Sequence, residues 1–275
     1  MIGLLAETAI HCGAGRSAGI VDLPVAREAT TDFPFIAGSG VKGALRGRAR
    51  GGRPVETETV TELFGTADRA GKVLVSDARL LLLPVRSLTG TYRWLTSPLV
   101  IERYHRDLAR CGVSATRTPL PEIPRVDGVA GALGAGRGTL YLEEREFQLR
   151  GECPVELHTS IGSLVRPAVT RARLTPQVVI VSDDDFAWFC RYAVPVQARN
   201  HLDAETKKSN NLWYEESLPA DTLLYSLIST RDAAARAAVG DLFTETDPYL
   251  QLGGNETVGH GWTIVSFRDQ AGAAS

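Results

Sequence analysis

Four stretches of this chain hold side chains whose types and spacing can do chemistry. In HCGAGRSAGIVDLPVARE, residues 11–28, His11 and Asp22 flank a glycine-containing loop. Asp22 stands between Val21 and Leu23 with Pro24 next, an apolar setting for a charge. Beside a bound phosphate such an acid can ligate a metal or take a proton. On its own, such a residue is more commonly a turn or strand-edge acid. The second stretch, FIAGSGVKGALRGRARGGR, residues 35–53, carries Lys42, Arg46, Arg48, Arg50 and Arg53 and no acid. Its Gly38-Ser39-Gly40 turn leads into a helix with Ser39 as N-cap, and Lys42, Arg46 and Arg50 at i, i+4, i+8 share one face. The free N–H groups of the helix start add to the attraction for anions. Cations in this pattern suit a nucleic-acid backbone better than one small ligand, the bland alternative being a solvated basic face.

The third stretch, ETKKSNNLWYEESLP, residues 205–219, sets Lys207, Lys208, Asn210 and Asn211 before Trp213, Tyr214, Glu215 and Glu216. Cations that hold phosphates beside rings that stack on bases suit a single strand of nucleic acid. The alternative is an ordinary hairpin with Trp213 and Tyr214 in the core. The fourth, GGNETVGHG, residues 253–261, has four glycines in nine residues, which let a backbone approach a ligand closely. It fits neither the P-loop nor the GxGxxG spacing, and a tight turn between strands would look the same. HExxH, GxSxG, Walker and zinc-spaced Cys/His motifs are absent. Histidines 11, 105, 158, 201 and 260 are far apart, and only His11 lies beside other candidates.

The elements that must position these groups follow from periodicity. Ile2 to Ile10 reads as a strand with Ile2, Leu4 and Ala6 on one face. The basic helix falls near 40–50, and Val73 to Leu83 is apolar and β-capable. Ile101, Tyr104, Leu108 and Cys111 recur at helical spacing. Residues 112–138, with three prolines and many glycines, read as an irregular insertion. Thr139 to Arg150 reads as one strand with a charged second half, and Gln177 to Val181 as a short buried one. Asp183 is expected to cap a helix that turns Phe186, Phe189 and Cys190 inward. A strand over Leu223–Ile228, an alanine-rich helix over Thr230–Val239 and two strands around the glycine loop close the chain. This irregular alternation predicts a single α+β domain over 1–275, with helices on one face of its sheet and long insertions.

Charge excludes bulk coating of nucleic acid: 30 Lys+Arg stand against 32 Asp+Glu, so binding must use a local stripe. The start of the chain lacks the basic region of a signal peptide, and the apolar run Leu80–Val85 is too short to cross a bilayer. Cys12, Cys111, Cys153 and Cys190 are scattered without a CxxC, which predicts neither a disulfide framework nor a zinc site and a reducing, cytoplasmic setting.

HCGAGRSAGIVDLPVARE, FPFIAGSGVKGALRGRAR, PVRSLTGTYRWLTSPLVIER (84–103) and NNLWYEESLP with the final GGNETVGHGW together resemble the backbone subunit of type III-B CRISPR effector complexes, a member of the RAMP superfamily. The glycine–serine–basic helix is shared across that superfamily. DLPVARE, SLTG…W.TSPLV and LWYEE are more specific to this subunit type. The resemblance implies a ferredoxin-like, RRM-type palm sheet with a projecting thumb hairpin, sought within about 150–205. It implies a head-to-tail homo-oligomer along a guide RNA, with sister RAMP-complex subunits and no membrane. It further implies target RNA cut at regular intervals with a divalent metal, Mg²⁺ or Mn²⁺. By the same resemblance Asp22 is the cutting acid and metal ligand, with His11, Tyr214 and Glu215 in support. Ser39, Lys42, Arg46, Arg50, Lys207, Gly253, Gly254 and Thr257 are then expected on RNA. A non-catalytic guide-binding scaffold of the same superfamily is the main alternative. A guide-processing ribonuclease working alone and a small-molecule enzyme fit the charge and motifs less well.

Overall fold

A computed structural model describes residues 1–51, 57–113, 120, 123 and 128–268. Arg53 and most of 114–127 lie outside them. The first half of the chain supplies β1 (Ile2–Ala6), β2 (Phe35–Ile36), α1 (Gly38–Gly51), α2 (Thr57–Phe64), β3 (Val73–Val75), β4 (Ala78–Arg86), β5 (Tyr92–Thr96) and α3 (Pro98–Arg110). The middle supplies β6 (Ala130–Gly134), β7 (Gly138–Leu142), β8 (Arg145–Gly151), α4 (Val155–Gly162), α5 (Ala168–Ala172), α6 (Leu174–Gln177), β9 (Val178–Ile180) and α7 (Asp183–Tyr192). The last part supplies β10 (Val196–Leu202), β11 (Ser209–Glu216), β12 (Leu223–Ser226), β13 (Ile228–Thr230), α8 (Ala233–Gly240), β14 (Tyr249–Gln251) and β15 (Trp262–Phe267).

The main sheet runs β14-β15-β1-β12-β4-β5-β9-β6-β8-β7, with β2 also on β4. Within it β15, β1, β12 and β4 are mutually antiparallel neighbours. Their chain order is strand, helix α1, strand, then strand, helix α8, strand. β4 belongs to two halves at once. Its first residues pair with β12 and its last with β5. Beyond it, Ser87 bridges Leu142 on β7, and the Arg86 carbonyl accepts the Glu143 N–H at 3.0 Å, which closes the far half of the sheet on itself.

Strand alternation explains why the central sheet is buried on both faces. Ile2, Leu4 and Ala6 pack with Val41, Leu45 and Ala49 of α1 and with Val239 of α8. Leu5, Leu80 and Leu223 face the other way, toward Tyr104 and Leu108 of α3. The expectation of helices on one face is thus corrected: α1, α2 and α8 cover one side, and α3 with the closed half covers the other.

Other expectations shift as well. Thr139–Arg150 is two antiparallel strands, β7 and β8, because Glu143 adopts a left-handed φ of 50° and turns the chain. The insertion foreseen over 112–138 ends in strand β6, whose residues are all buried. Ser182, not Asp183, caps α7 by accepting the Asp185 N–H at 3.1 Å. Asp183 instead reaches across to accept the Leu99 N–H of α3 at 2.9 Å. Residues 155–192 are mainly helical, so only β10 of the exposed β10–β11 hairpin falls inside the range 150–205. Cys12, Cys153 and Cys190 are buried free thiols, and burial pushes those of Cys12 and Cys153 up to about 12.

Candidate active site

The loop after β1 folds back as a narrow arm. Gly13 bridges Val25, and the Ala14 N–H donates to the Pro24 carbonyl at 3.0 Å, which leaves a tip with Ile20 95% exposed. Asp22 lies on the returning side of this arm, half-buried. Here β11 acts as its floor. The Leu23 N–H donates to the Tyr214 carbonyl at 3.1 Å, and the Glu216 N–H donates to the Leu23 carbonyl at 3.0 Å. Asp22 Oδ2 accepts the Tyr214 N–H at 2.8 Å. The acid that showed no partner in the sequence therefore has one: a backbone donor on the outer edge of β11.

Successive side chains of β11 then divide the labour, because they point to opposite faces. Glu216 braces the arm. Its Oε2 accepts the Val25 N–H at 3.0 Å, and its Oε1 pairs with Arg27 Nη2 at 2.5 Å. Arg27 also donates to the carbonyls of Asp32 and Cys190. Glu215, 4% exposed, faces the glycine loop, where Asn255 Nδ2 donates to its Oε1. Arg199 Nη2 of β10 lies 3.7 Å from that oxygen and His11 Nδ1 lies 3.9 Å from it. His11 Nδ1 donates to the Glu216 carbonyl at 2.7 Å, since a carbonyl can only accept. In neutral His11 the lone pair is therefore on Nε2.

The glycine loop is shaped to fit this cluster. The Gly254 N–H donates to the His11 carbonyl at 2.9 Å. A Cβ on Gly253, whose φ is +83°, would come within 2.3 Å of the same carbonyl oxygen. Gly253 and Gly254 thus serve His11 and Glu215, while Thr257 sits exposed in the 3₁₀ turn Glu256–Val258 at the outer edge. Lys207 is set apart. It holds φ 58° in the turn of the hairpin, a turn fixed by Asp203 Oδ1 accepting the Glu205 and Thr206 N–H groups. The strand from Ser209 to Tyr214, about 17 Å long, separates that turn from Tyr214.

On α1, Lys42 and Arg46 are half-exposed and Arg50 is exposed, beside the buried stripe Val41, Leu45 and Ala49. Among the described residues these three cations form no ion pair, whereas Arg48 turns inward to Asp247 at 2.5 Å. Two expectations at the helix start are corrected. Ser39 lies within the first turn rather than capping it. Asp77 Oδ1 already accepts the Gly38 N–H at 2.7 Å, and Gly40 and Val41 donate to the Ala37 carbonyl, so most of the anion-attracting donors are taken. Sequence reasoning missed Asp77, 39 residues away along the chain. It also missed Arg199, Asn255 and His260. The last two were visible as the only amide and imidazole in the glycine loop, but Arg199 carries no signal until β10 pairs with β11.

The exposed hairpin has two unlike faces. Ala198 lies opposite Tyr214 and Asn200 opposite Leu212, with Leu212 55% and Tyr214 44% exposed. Tyr214 is thus not the core residue that an ordinary hairpin would make it. Among the described residues no group of three His, Cys, Asp or Glu side chains is placed to hold a metal ion. A hard cation at Asp22 would take its remaining oxygen ligands from phosphates and water.

The RAMP superfamily's family model matches residues 4–265. The chain is 33% identical over 282 residues to the CRISPR system Cmr endoribonuclease Cmr4 of Pyrococcus furiosus, covering 98% of this chain and 95% of that protein. It superposes on the crystal structure of oligomeric Cmr4 from Pyrococcus furiosus with a TM-score of 0.76 at 30% identity, over 96% and 95% of the two chains. A chain in the cryo-EM structure of the type III-B Cmr-beta bound to cognate target RNA shares the fold, with a TM-score of 0.75 at 18% identity over 96% and 95% of the chains.

Proposed function

This chain belongs to the RAMP superfamily, and from that premise we infer that it is the backbone subunit of a type III-B CRISPR effector complex that cleaves target RNA. In this reading it binds guide RNA, stacks head to tail with copies of itself along it, and cuts the complementary strand at regular intervals. The likeness to an oligomeric Cmr4 supports the stacking, and the name endoribonuclease of the Pyrococcus furiosus relative supports the cutting. The four-strand, two-helix unit of β1, α1, β4, β12, α8 and β15 serves as the ferredoxin-like palm. The β10–β11 hairpin serves as the thumb, with Leu212 and Tyr214 on the face that presses between guide and target. Lys42, Arg46 and Arg50 hold the guide backbone.

The observation that carries the reading is Asp22: a carboxylate fixed by one oxygen to the Tyr214 N–H, at the foot of an exposed hairpin. A strand bent by the hairpin can place a ribose 2′-OH in line with its own 3′-phosphate. Asp22 then takes the 2′-OH proton, the 2′-oxygen bonds to phosphorus, and the bond to the 5′-oxygen breaks. The products are a 2′,3′-cyclic phosphate and a 5′-OH, with the leaving oxygen protonated from solvent. A divalent metal, Mg²⁺ or Mn²⁺, held at Asp22 and completed by RNA, would supply neutralising charge at the phosphate. Product ends test this route. Cyclic phosphate on the upstream fragments is expected, and 3′-OH with 5′-phosphate ends would contradict it.

The hydrogen bond to Tyr214 gives Asp22 a structural use as well, and that favours the non-catalytic scaffold as the second reading. The two separate on substitution of Asp22 by asparagine, which keeps an acceptor for Tyr214 and removes the charge.

A further inference from the structure

Glu215 is 4% exposed, and a buried carboxylate calls for a compensating partner. Two basic groups approach its Oε1, Arg199 Nη2 at 3.7 Å and His11 Nδ1 at 3.9 Å. His11 has its Nδ1 proton committed to the Glu216 carbonyl. Arg199 is therefore the standing cation for Glu215. The same Nη2 lies 3.2 Å from His260 Nε2. A guanidinium can only donate, so His260 Nε2 accepts and the imidazole proton sits on Nδ1.

Arg199 thus joins three segments: β10, which carries it; β11, through Glu215; and the glycine loop, through His260. Asn255 completes the ring by donating to Glu215 from the same loop. On the outer edge of β11 the residue before Glu215 offers its N–H to Asp22. A shift of β11 against the glycine loop would carry that N–H, and Asp22 with it.

We propose that Arg199 is a positioning residue for the cleavage step. By pairing with the Glu215 carboxylate that Asn255 also holds, and tying the hairpin to the glycine loop at His260, it fixes the Tyr214–Asp22 contact, so that the loop and the cutting acid keep one geometry. The proposal rests on the reading of Asp22 as the cutting acid. Arg199 itself takes no covalent or proton-transfer step.

The test uses the assembled guide-RNA complex, comparing wild type with Arg199→Gln, Arg199→Lys and Asp22→Asn under single-turnover conditions. Arg199→Gln is expected to lower the cleavage rate about 10- to 100-fold, the usual cost of loosening a supporting contact. Target affinity and guide binding should stay near wild type while the thermal midpoint falls, because Glu215 loses its cation, and Arg199→Lys should recover much of the rate and of the midpoint because it restores the charge. Wild-type rates in Arg199→Gln would overturn the proposal. So would equal losses in rate, affinity and thermal midpoint, which mark a merely structural residue, and so would a lysine variant as slow as the glutamine one. Full activity in Asp22→Asn, or an inactive wild type, would instead sink the underlying reading of the site.

Discussion

Neighbouring carboxylates on β11 have unlike duties, and the difference is set by which face each occupies. Glu216 is the structural one: it holds the Val25 N–H and Arg27 together at the root of the Asp22 arm. Its loss strands a largely buried arginine and an unpaired backbone donor. Glu216→Ala should lower stability by about 3 kcal/mol, read as a shift in the urea midpoint with an unchanged slope. An unshifted midpoint would show that the arm is held by its other contacts alone. The residues of the candidate site were partly legible. Asp22, His11 and Glu215 stood out because an acid among apolar neighbours, a histidine at a glycine turn and a paired EE after aromatics are each unusual. Arg199 did not, because its meaning comes from a partner 16 residues away, Glu215, and a second one 61 residues away, His260. The same limit hid Asp77, whose carboxylate fills the helix start that the sequence left open to anions.

At the scale of elements, α1 is built on a simple rule: Val41, Leu45 and Ala49 bury one stripe, and Lys42, Arg46 and Arg50 follow one position behind it. That offset makes the cationic row an automatic neighbour of the core-facing row, which is why the helix could be placed from sequence so closely. Strand limits were harder. The turn at Glu143 requires a left-handed backbone that its residue type does not advertise. The exposed hairpin was hidden because its pairing, not its composition, defines it. If α1 holds the guide backbone, replacing Lys42 and Arg46 together by alanine should weaken guide RNA binding. The slope of log affinity against log salt should then fall by about 1.4, two single-strand phosphate contacts. A salt slope equal to wild type would place the guide on another surface.

For the whole molecule, no helix among the described residues is long and apolar enough to cross a membrane. Two cores lie on opposite faces of one sheet, so global stability should respond to groups far from the site. His158 on α4 is one. Burial holds its pKa below the ordinary histidine value, and its Nδ1 is enclosed without a partner. The unfolded chain therefore binds a proton at His158 before the folded one does. Stability from this group is complete above about pH 6.5 and is lost as pH falls toward the folded pKa. The thermal midpoint should drop between pH 7 and about pH 5, and His158→Gln should flatten part of that drop. An identical pH profile in the variant would assign the acid sensitivity elsewhere. The central claim joins all three scales: a carboxylate on one loop, seated by one strand, cuts RNA held by the assembled protein. Its most direct test is cleavage of target RNA by the assembled guide complex carrying Asp22→Asn, with target affinity and thermal midpoint measured alongside. The account predicts that cuts at regular spacing disappear while affinity and midpoint stay at wild-type values. Undiminished cutting by the asparagine variant would contradict it.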